Sequence, residues 1–211
     1  MQRVKVLAFL VLAAFLAFSC SKDDNSTPTG GNTTGNSSAG SLATHTGNNT
    51  VVTESNVNTV TQLITTKASD VFSRALTKVS YGAAKPAVDI TLAGDVTGTK
   101  SGKAVVNGKY TMSSDQKLLT YNFTCTFYDF SDDNALFLGG AIVYSGSYNL
   151  TTNVYDLTYK GGLKFNGTYS GTQDFTTSYK YDMSKSSMTI VSTNTCTSGG
   201  KTFSFTYNYP Q

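Results

Sequence analysis

Leu118-Leu119-Thr120-Tyr121-Asn122-Phe123-Thr124-Cys125-Thr126-Phe127 alternates with a period of two. Successive side chains of a strand point to opposite faces, so Leu119, Tyr121, Phe123, Cys125 and Phe127 share one side and Leu118, Thr120, Asn122, Thr124 and Thr126 the other. One face is aromatic and the other mostly hydroxyl, as in an antiparallel sheet with one dry side. Phe203, Phe205, Tyr207 and Tyr209 repeat the pattern near the C-terminus.

Around this stretch the same period runs from Val88 onward. It predicts about nine strands: 88–96, 103–112, 117–129, 135–150, 153–160, 163–170, 172–182, 187–196 and 201–209. The links between them are short polar turns, among them Ser113-Ser114-Asp115, Asp132-Asp133-Asn134, Gly161-Gly162 and Ser198-Gly199-Gly200, which favour hairpins over crossovers. Three segments share a Gly, a second Gly and a closing Tyr: Gly102 to Tyr110, Gly140 to Tyr148 and Gly161 to Tyr169. A duplication would explain this repeat, and so would glycines lying across from aromatic rings or marking bends.

Upstream the period is helical. Val57, Val60, Ile64, Ala68, Val71, Ala75 and Val79 follow spacings of three and four, widened by Leu63, Phe72 and Leu76, which predicts a helix over 54–79. Thr53 or Ser55 can cap its start, and Asp70 stands four residues before Arg74. Rich in Thr, Val and Asn, this helix needs a surface to dock on. The fold expected is α+β, mainly β: one long N-terminal helix packed on a curved antiparallel meander of about nine strands, open or closed into a barrel-like form.

This domain occupies 51–211. Residues 20–50 are almost entirely Ser, Thr, Gly, Asn and small side chains, with one Leu and no aromatic, and are expected to form a flexible tether. The only histidine, His45, falls in that tether and is expected to take no part in catalysis or metal binding.

Residues 1–19 read as a leader: Arg3 and Lys5 precede an unbroken apolar run of 13 residues from Val6 to Phe18, too short to span a bilayer. Ala17-Phe18-Ser19-Cys20 resembles the lipobox of bacterial lipoproteins, which implies that Cys20 is acylated and becomes the mature N-terminus. Ser21-Lys22-Asp23-Asp24 is similar to the short acidic tag of Bacteroidota lipoproteins exported to the outside of the outer membrane. The resemblance therefore implies a lipid-anchored outer-membrane protein facing the exterior, with the periplasmic face as the alternative.

Without Arg3 and Lys5, basic and acidic groups nearly balance, and the lysines are scattered singly, so no nucleic-acid partner is expected. Catalytic arrangements are few. The chain has one His, a single Glu (Glu54) and no Trp, and neither an HExxH nor a CxxC motif. No catalytic, cofactor-binding or metal-binding residue is assigned. Asp129, Asp132, Asp133 and Asn134 form the one dense group of oxygen ligands; hairpin-turn chemistry accounts for them better than calcium. With Cys20 acylated, Cys125 and Cys196 remain as an even pair able to form a disulfide, the alternative being two separately buried thiols. The function expected is a non-catalytic, surface-exposed binding or adhesion module anchored in the membrane by its N-terminal lipid, with its partner left open between a glycan, a protein and an apolar ligand. The alternatives are a carrier of an apolar ligand in a curved-sheet cavity and a purely structural envelope protein.

Overall fold

A computed structural model describes residues 40–77 and 89–210; the leader, Cys20 and the tether as far as residue 39 lie outside the described residues. The chain is mainly β. It forms a nine-stranded sheet with one helix: β1 (Thr50–Val51), α1 (Val57–Thr77), β2 (Asp89–Thr97), β3 (Ser101–Met112), β4 (Leu118–Ser131), β5 (Leu136–Asn149), β6 (Val154–Gly167), β7 (Tyr169–Asp182), β8 (Ser187–Ser198) and β9 (Lys201–Pro210). From β2 to β9 each strand pairs antiparallel with the next in sequence, while β1 runs parallel to β7. Among the described residues β2 and β9 do not pair, so the sheet is open.

The alternation of β4 is realised as read: Tyr121, Phe123, Cys125 and Phe127 are buried, while Thr120 and Asn122 are exposed. Two expected strands, 153–160 and 163–170, are instead the single strand β6. Gly161 and Gly162 lie inside it rather than in a turn, opposite Ile142 and Ala141 of β5. A Cβ at Gly161 would come within 2.5 Å of the Ala141 carbonyl oxygen, so the glycine is explained by close strand approach. The chain reverses at Gly167 and Thr168 instead, with Gly167 at φ 115°. In the repeated Gly-x-Tyr segments, Gly146 lies where a Cβ would meet the Tyr121 hydroxyl at 2.3 Å. That hydroxyl passes the glycine to donate to the Asp156 carbonyl at 2.6 Å.

The helix starts three residues later than expected because Thr53–Asn56 form a turn: the amides of Asn56 and Val57 both donate to the Thr53 carbonyl, and Asn56 Oδ1 accepts from the Thr53 amide. Its apolar stripe of Val57, Val60, Ile64, Ala68, Val71, Phe72 and Ala75 is buried in the same cluster as the aromatic face of the sheet. Phe72 stacks on Phe123 of β4 at 4.8 Å and on Tyr144 of β5 at 4.5 Å. Full burial of a Phe side chain contributes roughly 1.5–3 kcal/mol. At the helix's far end Arg74 pairs with Asp70, as the spacing suggests, and also with Asp132 at 2.5 Å.

Cys125 on β4 and Cys196 on β8 are buried as free thiols, with three strands between them in the sheet order. A disulfide needs Cα atoms within about 7 Å, and the pairing considered from the sequence is not formed.

Candidate functional site

Two places on the outer, polar face of the sheet gather functional side chains. The first is built on a bulge. The β4–β5 register slips between Phe127 and Phe130, and Asp129 adopts φ 52°, a left-handed conformation that Asp tolerates better than most residues. The slip turns the Asp129 amide out of the ladder, and it donates to the Ser41 carbonyl at 2.8 Å. Asp129 Oδ1 accepts from the Ala43 amide at 3.0 Å and lies 2.6 Å from His45 Nε2, while Oδ2 accepts from the Ser101 hydroxyl at 2.9 Å. The imidazole of His45 lies flat on Phe137, with centroids 3.5 Å apart and 6° between the planes.

The same segment continues along the sheet. Asn166 Nδ2 donates to the Ala43 carbonyl, the amides of Asn49 and Thr50 donate to the carbonyls of Gly167 and Thr168, and the Val52 amide donates to Ser198 Oγ. Residues 40–52 are thus a strap crossing from β4 to β8 before the chain enters α1. Over residues 40–50 the expected tether is corrected to a bonded segment, and His45 is not a mobile bystander. One signal for it was present in the sequence. Leu136-Phe137-Leu138 breaks the alternation, so both faces of β5 need cover at that point, and the strap supplies it for Phe137.

Burial opposes ionisation of Asp129, but the bonds from His45, Ala43 and Ser101 and the charge of His45 outweigh it and hold the carboxyl below its ordinary range. Ser101 and His45 both bind the acid rather than each other. A nucleophile relay needs the hydroxyl to donate to the imidazole, so this arrangement is a clamp. The other members of the acidic cluster are likewise committed. Asp132 accepts from Arg74 and from the Thr99 amide and hydroxyl, and Asp133 accepts from Lys67 and from the amides of Ala135 and Leu136. Burial opposes ionisation of Asp133 as well, but Lys67 and the two amides hold its carboxyl at about 2. Of the residues weighed for calcium, Asp132 and Asp133 tie the helix to the β4–β5 turn, and Asp129 holds the strap.

The second place is an open depression of about 670 Å³ at the opposite end of the strands. Cross-strand register brings Ser147, Asp156 and Lys180 into one row, and Leu118, Asn149, Val154 and Asp182 into the next. The turns at 149–153 and 182–185 complete the lining with Thr151, Thr152, Asn153, Ser184 and Lys185. Asn149 Oδ1 accepts from the amides of Thr151 and Thr152, which fixes the first turn. Asp182 Oδ1 accepts from the amide and hydroxyl of Ser184, and its Oδ2 lies 3.2 Å from Lys185 Nζ. Led by the Ser184 hydroxyl, these bonds lower the Asp182 pKa. A glycosidase general acid needs a carboxyl pushed the other way. Two carboxylates, two ammonium groups, hydroxyls and amides in one hollow suit a polar, uncharged, many-hydroxyl ligand. No cluster of His, Cys, Asp and Glu able to hold a metal ion occurs among the described residues.

Aromatic stacking is not part of this hollow. The exposed aromatic side chains among the described residues are Tyr128 on β4 and Tyr207 on β9, too far apart in the sheet order to form a row. The chain matches no protein-family model, no curated protein and no solved structure.

Proposed function

We propose that the protein is a lipid-anchored, non-catalytic binding module of the cell envelope, with a glycan as the class of partner. The observation that carries the reading is the polar depression lined by Asp156, Lys180, Asp182 and Lys185, a charge-balanced hollow on a hydroxyl-rich face. Cys20 supplies the anchor by acylation, the outer membrane is the location, and the Ser21-Lys22-Asp23-Asp24 tag favours the exterior. A sheet curled around its long N-terminal helix holds the hollow on the convex side, away from the core. Phe72, fully buried between two sheet rings, occupies space that a carrier of apolar ligands would keep open.

A glycan array probed with the purified chain tests the binding. Neutral oligosaccharides are expected to give the signal, and Asp156→Ala to abolish most of it without changing the melting temperature. Equal signal from wild type and D156A on every sugar would end the reading. Anchoring is tested separately: Cys20→Ala should move the protein out of the membrane fraction, and a variant that stays anchored after leader removal would overturn acylation at Cys20.

A further inference from the structure

We infer that the outer edge of β9 pairs antiparallel with β9 of a second copy of this chain. β9 is the last strand in the sheet order, and among the described residues it pairs with β8 alone. An edge strand turns a row of backbone N–H and C=O groups away from the sheet, and soluble proteins blunt that row with charges, prolines or bulges. β9 has its lysine only at the first position, Lys201, and its proline only at the last, Pro210. Between them Thr202-Phe203-Ser204-Phe205-Thr206-Tyr207-Asn208 carries no charge, and its register with β8 has no shift. Such a segment has the composition that favours strand addition. The other edge, β2, carries Asp95 within the strand and has the helix beside it.

Tyr207 gives a second, independent observation. Its inner-face row runs Tyr159, Thr177, Ser192, Tyr207 across β6 to β9. The first three are buried, yet Tyr207 is 46% exposed, its ring packed edge-on against Phe205 at 5.6 Å. The dry face stops at a half-covered phenol ring, and one more strand would bury it.

The strand is self-complementary, which selects a second copy as the occupant. Two antiparallel β9 strands centred on Phe205 set Ser204 opposite Thr206 and Phe203 opposite Tyr207. Aromatic then meets aromatic on the inner face and hydroxyl meets hydroxyl on the outer, with no like charges opposed. The result is a two-fold, isologous dimer with one continuous sheet. It does not depend on the glycan reading, because β9 lies outside the depression.

Sedimentation of the purified chain at micromolar concentration is expected to give twice the chain mass. Ser204→Lys with Thr206→Lys opposes two pairs of ammonium groups across the dimer and should give a monomer with an unchanged circular dichroism spectrum. Ser204→Glu with Thr206→Glu should do the same, and an equimolar mixture of the two variants should recover a one-to-one dimer. A wild-type monomer, a lysine variant that stays dimeric, or folded variants that remain monomeric when mixed would each overturn the pairing.

Discussion

Phe72 and Tyr144 stack with their ring centroids 4.5 Å apart and 14° between their planes. The helix is therefore part of the core of the sheet rather than an appendage to it. Phe72→Ala removes a fully buried ring and should cost about 3–5 kcal/mol, lowering the melting temperature by roughly 6–20 °C for a domain of this size. Phe72→Leu should recover part of the loss. A calorimetric scan in which F72A melts with the wild type would show that the helix is not needed for the fold.

Acid should loosen the polar clamps. Asp129, Asp132 and Asp133 all titrate below their ordinary value in the folded chain: burial raises each, and bonds to His45, Thr99 and Lys67 respectively, with their other partners, outweigh it. A depressed carboxyl binds fewer protons folded than unfolded, so its stabilisation is present above the unfolded pKa near 4 and is lost as pH falls toward the folded value. The melting temperature should decline between about pH 5 and pH 2, and Asp133→Asn should flatten that decline. A D133N curve parallel to the wild type would contradict this assignment.

His45→Ala should release the strap locally while leaving the sheet intact. It removes one bond to Asp129 and the cover of Phe137; with a hydrogen bond contributing about 0.5–1.5 kcal/mol and stacking a similar amount, local opening should become about 5- to 150-fold more frequent. Hydrogen exchange reads this at the amides of Ala43, Asn49 and Thr50, whose acceptors are Asp129, Gly167 and Thr168. Unchanged protection at all three amides would mean that His45 does not hold the strap.

Gln173 is fully buried on β7, and neither its Nε2 nor its Oε1 has a hydrogen-bond partner among the described residues. An unsatisfied buried polar group costs about 1–3 kcal/mol, so Gln173→Met, close in shape, should raise the midpoint of urea unfolding. A lowered midpoint would reveal a bond to the amide through water.

Both thiols should be slow to react in the folded state. Burial pushes Cys125 up to about 12 and Cys196 up to about 11, which suppresses the nucleophilic thiolate. Alkylation should label both together only after denaturation, and unreduced peptides should contain no link between them. Rapid labelling of either in native buffer would contradict its burial.

The strands were legible because the rule behind them is local: parity along Leu118 to Phe127 needs no knowledge of what lies across. Gly161 and Gly162 misled for the opposite reason. A glycine pair suits a turn as well as a close approach, and only the position of Ala141 on the neighbouring strand decides between them. The strap was hidden in the same way. Its side chains lack a hydrophobic pattern, and its partners Asp129 and Ser198 lie 84 and 146 residues away in the bonds made by His45 and Val52. The depression depends on two turns converging beside rows of three neighbouring strands, which no single segment announces.

The strap and the helix also set an order of events. The meander pairs neighbours in sequence, so each hairpin can close as soon as its second strand has been synthesised. Val52 must wait for Ser198, the last residue of β8. The strap, made early, is consequently fixed last, and until β4 and β5 have been synthesised the stripe from Val57 to Ala75 lacks the rings of Phe123 and Tyr144 that cover Phe72. A nascent chain of this design would be expected to attract holding factors at its helix, and to depend on them less once β5 has emerged.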